Sequence, residues 1–84
     1  MSDLNTTFED AVKNSISISE RPDNATLLKI YGLYKQATDG DNETKKPSFT
    51  DMVARAKWDA WAKLEGTSSD EAKQLYIDLI ASLR

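Results

Sequence analysis

Apolar residues recur at helical spacing in four stretches of this chain, and strong punctuation separates each stretch from the next. Leu4, Phe8, Ala11, Val12, Ser15 and Ile18 draw one stripe along a helix. Thr6 with Glu9 fits a capping box there, with Ser2 or Asp3 as an alternative start. Pro22 closes that region, because a residue before proline, here Arg21, is biased out of helical geometry. Asp23 or Asn24 can cap the second stretch, which runs to about Thr38 before Gly40 stops it. At about 100° per residue, Ala37, Ile30, Tyr34, Leu27, Thr38 and Tyr31 form one arc of that helix, with Lys35 and Leu28 at its border. Lys29, Gly32 and Gln36 fall on the far side.

Residues 39 to 48 contain no apolar residue beyond Pro47 and read as a polar loop, longer than the usual link between helices. A loop of that length can carry the chain back along the bundle, so the helices on either side of it need not be antiparallel. Ser48 with Asp51 fits a second capping box, followed by a third stripe of Phe49, Met52, Val53, Ala56, Ala60 and Leu64 that Gly66 ends. Ser68 and Glu71 cap a fourth helix, along which Ala72, Leu75, Tyr76, Leu79, Ile80 and Leu83 keep the helical spacing. No segment alternates apolar with polar residues, so no strand is expected. The expected fold is all-α, a four-helix bundle formed as one domain over residues 1–84.

Composition narrows the chemistry. The net charge of −3 argues against general nucleic-acid binding, which needs a basic footprint. The charge is unevenly spread: residues 29–63 hold seven Lys/Arg against five Asp/Glu, and the rest hold four against nine. An anionic ligand would be drawn to the middle of the chain. The apolar runs are too short to span a membrane, and the N-terminus lacks the pattern of a secretory signal. The Asn-x-Thr sequons at Asn5, Asn24 and Asn42 therefore carry little weight. The absence of cysteine excludes disulfides and fits a reducing, cytoplasmic setting.

With neither histidine nor cysteine, the chain lacks the commonest general base, the thiolate nucleophile and the usual zinc ligands. Asp39, Asp41 and Glu43 resemble the start of a calcium loop, but Thr44 and Thr50 stand where that loop needs Gly and Glu. No phosphate-cradling glycine loop is present, since the three glycines are isolated. Binding is expected rather than catalysis, with no metal and no cofactor.

Two stretches carry the ligand signal: Tyr31-Gly-Leu-Tyr34-Lys35-Gln-Ala37 and Ala56-Lys57-Trp58-Asp59-Ala60-Trp61. Each places a lysine at the border of an apolar stripe, beside large aromatic rings. Read without further context, Tyr31, Tyr34 and Tyr76 are packing residues, Trp61 and Trp58 pack against other helices, and Lys35 and Lys57 shield the edges of the core. A stacking ring next to a cation equally suits a nucleotide-like ligand bearing phosphates.

In wording and spacing these stretches, with Thr38-Asp-Gly40-Asp41, Gly66-Thr67-Ser68 and Tyr76-Ile77, resemble the acyl-CoA-binding protein family over most of the chain. The resemblance implies an up-down-down-up bundle with a long overhand connection, and a bowl that takes medium- to long-chain acyl-CoA esters. It implies that Tyr31 contacts the adenine and its phosphorylated ribose, with Tyr34 close by, and that Lys35 pairs with the ribose 3′-phosphate. Lys57 would reach the nucleotide phosphates from the neighbouring helix, and Tyr76 would close the pocket against the ligand. It further implies a monomeric, non-catalytic carrier that serves lipid-metabolising enzymes. One position departs from the family: Ile16 stands where many members carry a lysine, and Arg21 is the candidate replacement. The competing expectation is a helical protein–protein interaction module, in which the Tyr/Trp surface receives a partner helix.

Overall fold

The computed structural model describes residues 3–15, 18 and 20–83. Ile16, and Ser2 as an alternative helix start, lie outside the described residues. Four helices form among those described: α1 (Leu4–Ser15), α2 (Asn24–Asp39), α3 (Met52–Ala62) and α4 (Ser69–Leu83).

The helix starts follow side-chain capping. Asp3, rather than the Thr6–Glu9 pair, begins α1: its carboxylate accepts from the Asn5 N–H at 3.0 Å and the Thr6 hydroxyl at 3.1 Å. Asp23 caps α2 through the Thr26 N–H at 2.8 Å. Asp51, not Ser48, caps α3 through the Ala54 N–H at 3.2 Å. The Ser48 hydroxyl is instead paired with the Thr50 side chain, so it does not reach the helix. Ser68 caps α4 as its spacing predicts, accepting from the Glu71 N–H at 3.1 Å. At the end of α2, Gly40 adopts φ +80°, a conformation that side-chain-bearing residues resist, and its N–H closes on the Gln36 carbonyl.

The contacts fix the helix directions. Asn5 bonds Lys73 and Phe8 meets Tyr76, so α1 and α4 run the same way. Ser69 bonds the Ala37 carbonyl while Tyr34 meets Tyr76, so α2 opposes α4. Tyr31 meets Lys57, Gly32 meets Ala60 and Lys35 meets Trp61, so α2 and α3 are parallel. The bundle is up-down-down-up, and the long connection between α2 and α3 carries the chain back to make two neighbours parallel. α2 is the central element, packed against α3 on one side and α4 on the other, with α1 beyond α4.

The core consists of Phe8 and Ala11 from α1, Leu33 and Ala37 from α2, and Ala72, Tyr76 and Ile80 from α4. Helix α3 joins it through Trp61, whose indole N–H donates to the Gly40 carbonyl at 2.8 Å. Four stripe expectations change. Gly32 and Gln36, on the far side of the predicted arc, are buried, because α2 is covered by α3 there as well as by α4. Tyr34 and Thr38, placed within the arc, are exposed at its edge. Phe49, Met52 and Val53, expected in the third stripe, are 78%, 77% and 69% exposed, Met52 and Val53 lining an open groove opposite Leu27 and Leu28 of α2. Leu75 of the fourth stripe is likewise exposed at 43%. Trp58 is covered by the polar loop, not by another helix: its indole N–H donates to the Thr44 carbonyl at 3.1 Å.

A polar cluster pins that loop to the bundle. The fully buried Gln36 donates to the Asp41 carboxylate at 2.9 Å and the Thr67 carbonyl at 2.8 Å. The same carboxylate accepts from the Gly66 N–H at 2.9 Å. These bonds, the Gly66 N–H first and Gln36 second, hold the Asp41 pKa below its ordinary 3.8. A lowered folded-state pKa adds stability above the ordinary carboxylate pKa that is lost as pH falls through the folded value. Asp41→Asn is therefore expected to flatten the fall in thermal stability below about pH 4, followed by circular dichroism against the parent chain. Parallel acid limbs for the two proteins would show that Asp41 carries none of it.

Candidate ligand-binding site

Two hollows flank the α2–α3 seam and share Tyr31 and Lys57 as their common wall. The first is an apolar groove of about 460 Å³, walled by Leu27, Leu28 and Tyr31 from α2 and by Met52, Val53, Ala56 and Lys57 from α3. Arg21 and Asn24 stand at one end of it. The second, about 360 Å³, is cationic and aromatic: Tyr31, Lys35, Lys57, Trp58 and Trp61 surround it, with Lys45 reaching in from the loop.

The parallel pairing of α2 and α3 creates this arrangement. Tyr31 and Lys35 lie one turn apart on α2, and Lys57 and Trp61 one turn apart on α3, so the two pairs face each other in register. The Lys57 ammonium sits 5.5 Å from the centre of the Tyr31 ring, and the Lys35 ammonium 4.9 Å from that of Trp61. Lys35 also pairs with Asp39, and that carboxylate raises the lysine pKa above its ordinary 10.5. Lys57 has no carboxylate partner among the described residues, so its charge is available to an incoming anion. The close approach of the helices depends on Gly32, where a Cβ would lie 2.7 Å from the Ala60 carbonyl oxygen.

Of the five residues singled out from sequence, Tyr31, Lys35 and Lys57 converge on the cationic hollow. Tyr34 and Tyr76 stand apart from them. Tyr34 borders a separate hollow of about 660 Å³ toward α1, lined also by Phe8, Val12, Lys13 and Lys73. Tyr76 is only 2% exposed, beneath that hollow, with its ring 5.1 Å from Phe8 and 6.3 Å from Tyr34. Burial pushes its phenol pKa up, against a smaller downward pull from Ser15. The sequence reading missed Lys45 and the groove residues Leu27, Leu28, Met52 and Val53 as site components. The adjacent Lys45–Lys46 pair before Pro47, in a connection whose other charges are acidic, was the available signal for the first.

One seam of this small all-α protein thus joins an apolar groove to a cationic, aromatic hollow. A family model described as acyl CoA binding protein matches residues 5–80. An acyl-CoA-binding protein of Dictyostelium discoideum is 44% identical over 78 residues, 93% of each chain. A Drosophila melanogaster homologue is 42% identical over 76 residues, 90% of this chain and 88% of that one. The crystal structure of Oryza sativa acyl-CoA-binding protein 2 superposes with a TM-score of 0.92 at 37% identity, covering 96% of this chain and 90% of that one. The chain belongs to the acyl-CoA-binding protein family.

Proposed function

We propose that this protein is a non-catalytic carrier that binds medium- to long-chain acyl-CoA esters, buffers them in the cytoplasm as a monomer and delivers them to lipid-metabolising enzymes. The carrying observation is the shared wall of Tyr31 and Lys57, which joins an apolar groove to a cationic hollow. An acyl-CoA has the same polarity along its length, with an apolar tail at one end and a multiply phosphorylated nucleotide at the other. The family match supports the same ligand.

In this reading Lys57 and Lys35 pair with phosphates through charge-assisted hydrogen bonds. Tyr31 stacks on the adenine, an interaction worth about 1–3 kcal/mol where bases meet aromatic rings in single-strand binding. Tyr34 and Tyr76, carried over by the resemblance, stand at the separate hollow toward α1 and make no part of these contacts. Lys45 and Arg21 are the remaining cations at the two hollows, and Arg21 stands at the end of the groove as the replacement for the family lysine absent at position 16. The tail lies along Leu27, Leu28, Met52 and Val53. Each buried methylene adds about 0.8 kcal/mol, close to fourfold in affinity, so the tail sets chain-length preference.

Calorimetric titration with a saturated long-chain acyl-CoA tests this, with free CoA and the free fatty acid as controls. Saturable one-to-one binding of the thioester is expected, much tighter than either control. No saturable binding at micromolar ester would overturn the proposal, and release of free CoA during the titration would show catalysis.

A further inference from the structure

The cationic hollow draws on a third segment of the chain. Lys35 and Lys57 reach it from α2 and α3, and Lys45 reaches it from the connection between those helices. The backbone before Lys45 is tied to α3: the Asn42 amide donates to the Trp58 carbonyl at 3.3 Å, and the Trp58 indole N–H donates to the Thr44 carbonyl at 3.1 Å. The Asn42 side-chain oxygen also accepts from the Thr44 N–H at 3.0 Å, and Pro47 restricts the backbone just after the lysines. The two loop lysines then part. Lys46 lies over the Trp58 ring, 5.6 Å from its centre and outside the lining of the hollow, while Lys45 lines the hollow itself. The charges nearby are also sorted. Asp39 is paired with Lys35, and Asp41 is engaged with Gln36 and the Gly66 N–H. Neither Lys45 nor Lys57 has a carboxylate partner among the described residues. Both indole N–H groups of the lining and the Thr44 hydroxyl already donate within the protein. The three ammonium groups and the Tyr31 phenol are what the hollow offers a ligand.

From this arrangement we propose that Lys45 is a specificity-determining residue for the head group, pairing with the terminal 3′-phosphate of an acyl-CoA with Lys35 and Lys57 beside it. The inference rests on the acyl-CoA reading and adds to it one residue and one discrimination. A phosphomonoester ends its branch of the ligand, so its free oxygens can be met from several sides, and at pH 7 it carries about 1.5–2 negative charges. A diphosphate bridge is bonded at both ends and presents less charge on each phosphorus. Ammonium groups that converge on one hollow from three separate segments suit the monoester better. Since the neutral donors of the lining are largely committed, recognition there depends on charge, and the more highly charged group gains more from it. A ligand without the 3′-phosphate leaves the same lysines unpaired and is disfavoured for that reason. The connection is fastened to Trp58 through Asn42 and Thr44 before any ligand arrives, so little ordering of the loop backbone opposes the contact.

The test is calorimetric titration of the full chain with a long-chain acyl-CoA and with its 3′-dephospho analogue, using the parent, Lys45→Gln and Lys46→Gln. The parent is expected to bind the complete ester at least about tenfold more tightly than the dephospho ester. Lys45→Gln is expected to lose about five- to tenfold for the complete ester and less than about twofold for the dephospho ester, so the discrimination shrinks. Lys46→Gln removes the same charge from the same loop but outside the hollow, and its expected loss is below about twofold. A pH series adds a second readout. The monoester gains its second charge above about pH 6, so parent affinity for the complete ester should rise through that pH, and rise less in Lys45→Gln. Lys45 is exposed, so circular dichroism should show the same helix content in the variant. Unchanged discrimination in Lys45→Gln would overturn the inference, as would an equal loss in Lys46→Gln, which would mark a general effect of charge. Equal losses for the two esters would move Lys45 to the diphosphate and overturn the 3′-phosphate role. No binding of either ester by the parent would defeat the carrier reading itself, whereas a parent that binds and an unaffected Lys45→Gln would leave that reading intact.

Discussion

Lys57→Ala is expected to weaken long-chain acyl-CoA binding by about ten- to a hundredfold without changing helix content. Lys57 stands on the wall common to the groove and the cationic hollow. A hydrogen bond to a charged group contributes about 1.5–3 kcal/mol, and 1.4 kcal/mol is tenfold in affinity. The side chain is exposed, so its removal opens no cavity in the core. Lys35→Ala is expected to act in the same direction by a different balance. It removes one cation and also leaves Asp39 unpaired beside the phosphates. Lys57→Arg should recover part of the affinity by keeping the charge. Isothermal titration of the variants, with circular dichroism for folding, measures both effects. An unaltered affinity in Lys57→Ala would remove the phosphate role assigned to that residue.

The second large effect falls on stability. Gly32→Ala should gain up to about 1 kcal/mol from helix propensity, but the new Cβ would sit 2.7 Å from the Ala60 carbonyl oxygen. The obstacle is backbone, so relief requires α2 and α3 to move apart, and overpacking of this kind costs about 1–3 kcal/mol, occasionally more. The clash outweighs the propensity gain, giving an expected net loss of about 1–2 kcal/mol for alanine and more than about 3 kcal/mol for valine. For a domain of this size each kcal/mol lowers Tm by about 4–8 °C, so thermal unfolding resolves both variants. Separation of the helices would also widen the groove, so acyl-CoA affinity should fall along with Tm. A raised Tm in Gly32→Ala would show that the seam yields freely.

Much of the fold was legible in the chain because helix formation is local. The stripe of α4, its Ser68 cap and the stop at Gly40 each depend on a few adjacent residues; α1 and α3 instead end at Ser15 and Ala62, ahead of Pro22 and Gly66. The candidate site was legible in part for the same reason. Lys35 and Lys57 sit at stripe borders, and the motif resemblance supplied a ligand that periodicity alone does not name. Caps were harder, since Ser48 and Asp51 both carry suitable oxygens and only the backbone path places Asp51 within reach of the Ala54 N–H.

By itself, the sequence determined four helices, a polar connection and two lysine–aromatic stretches, since spacing and punctuation act over single turns. The tertiary structure decided which faces were covered. A period of apolar residues cannot register a buried Gly32, whose value is the absence of a side chain, or a buried Gln36, whose partners Asp41 and Thr67 come from loops beyond its own helix. It also cannot reveal that Phe49, Met52 and Val53 are left bare, because their exposure depends on how closely other elements pack against the start of α3. The parallel seam of α2 and α3 joins those two kinds of information: it brings Tyr31 and Lys57 to one wall, with a groove on one side and cations on the other.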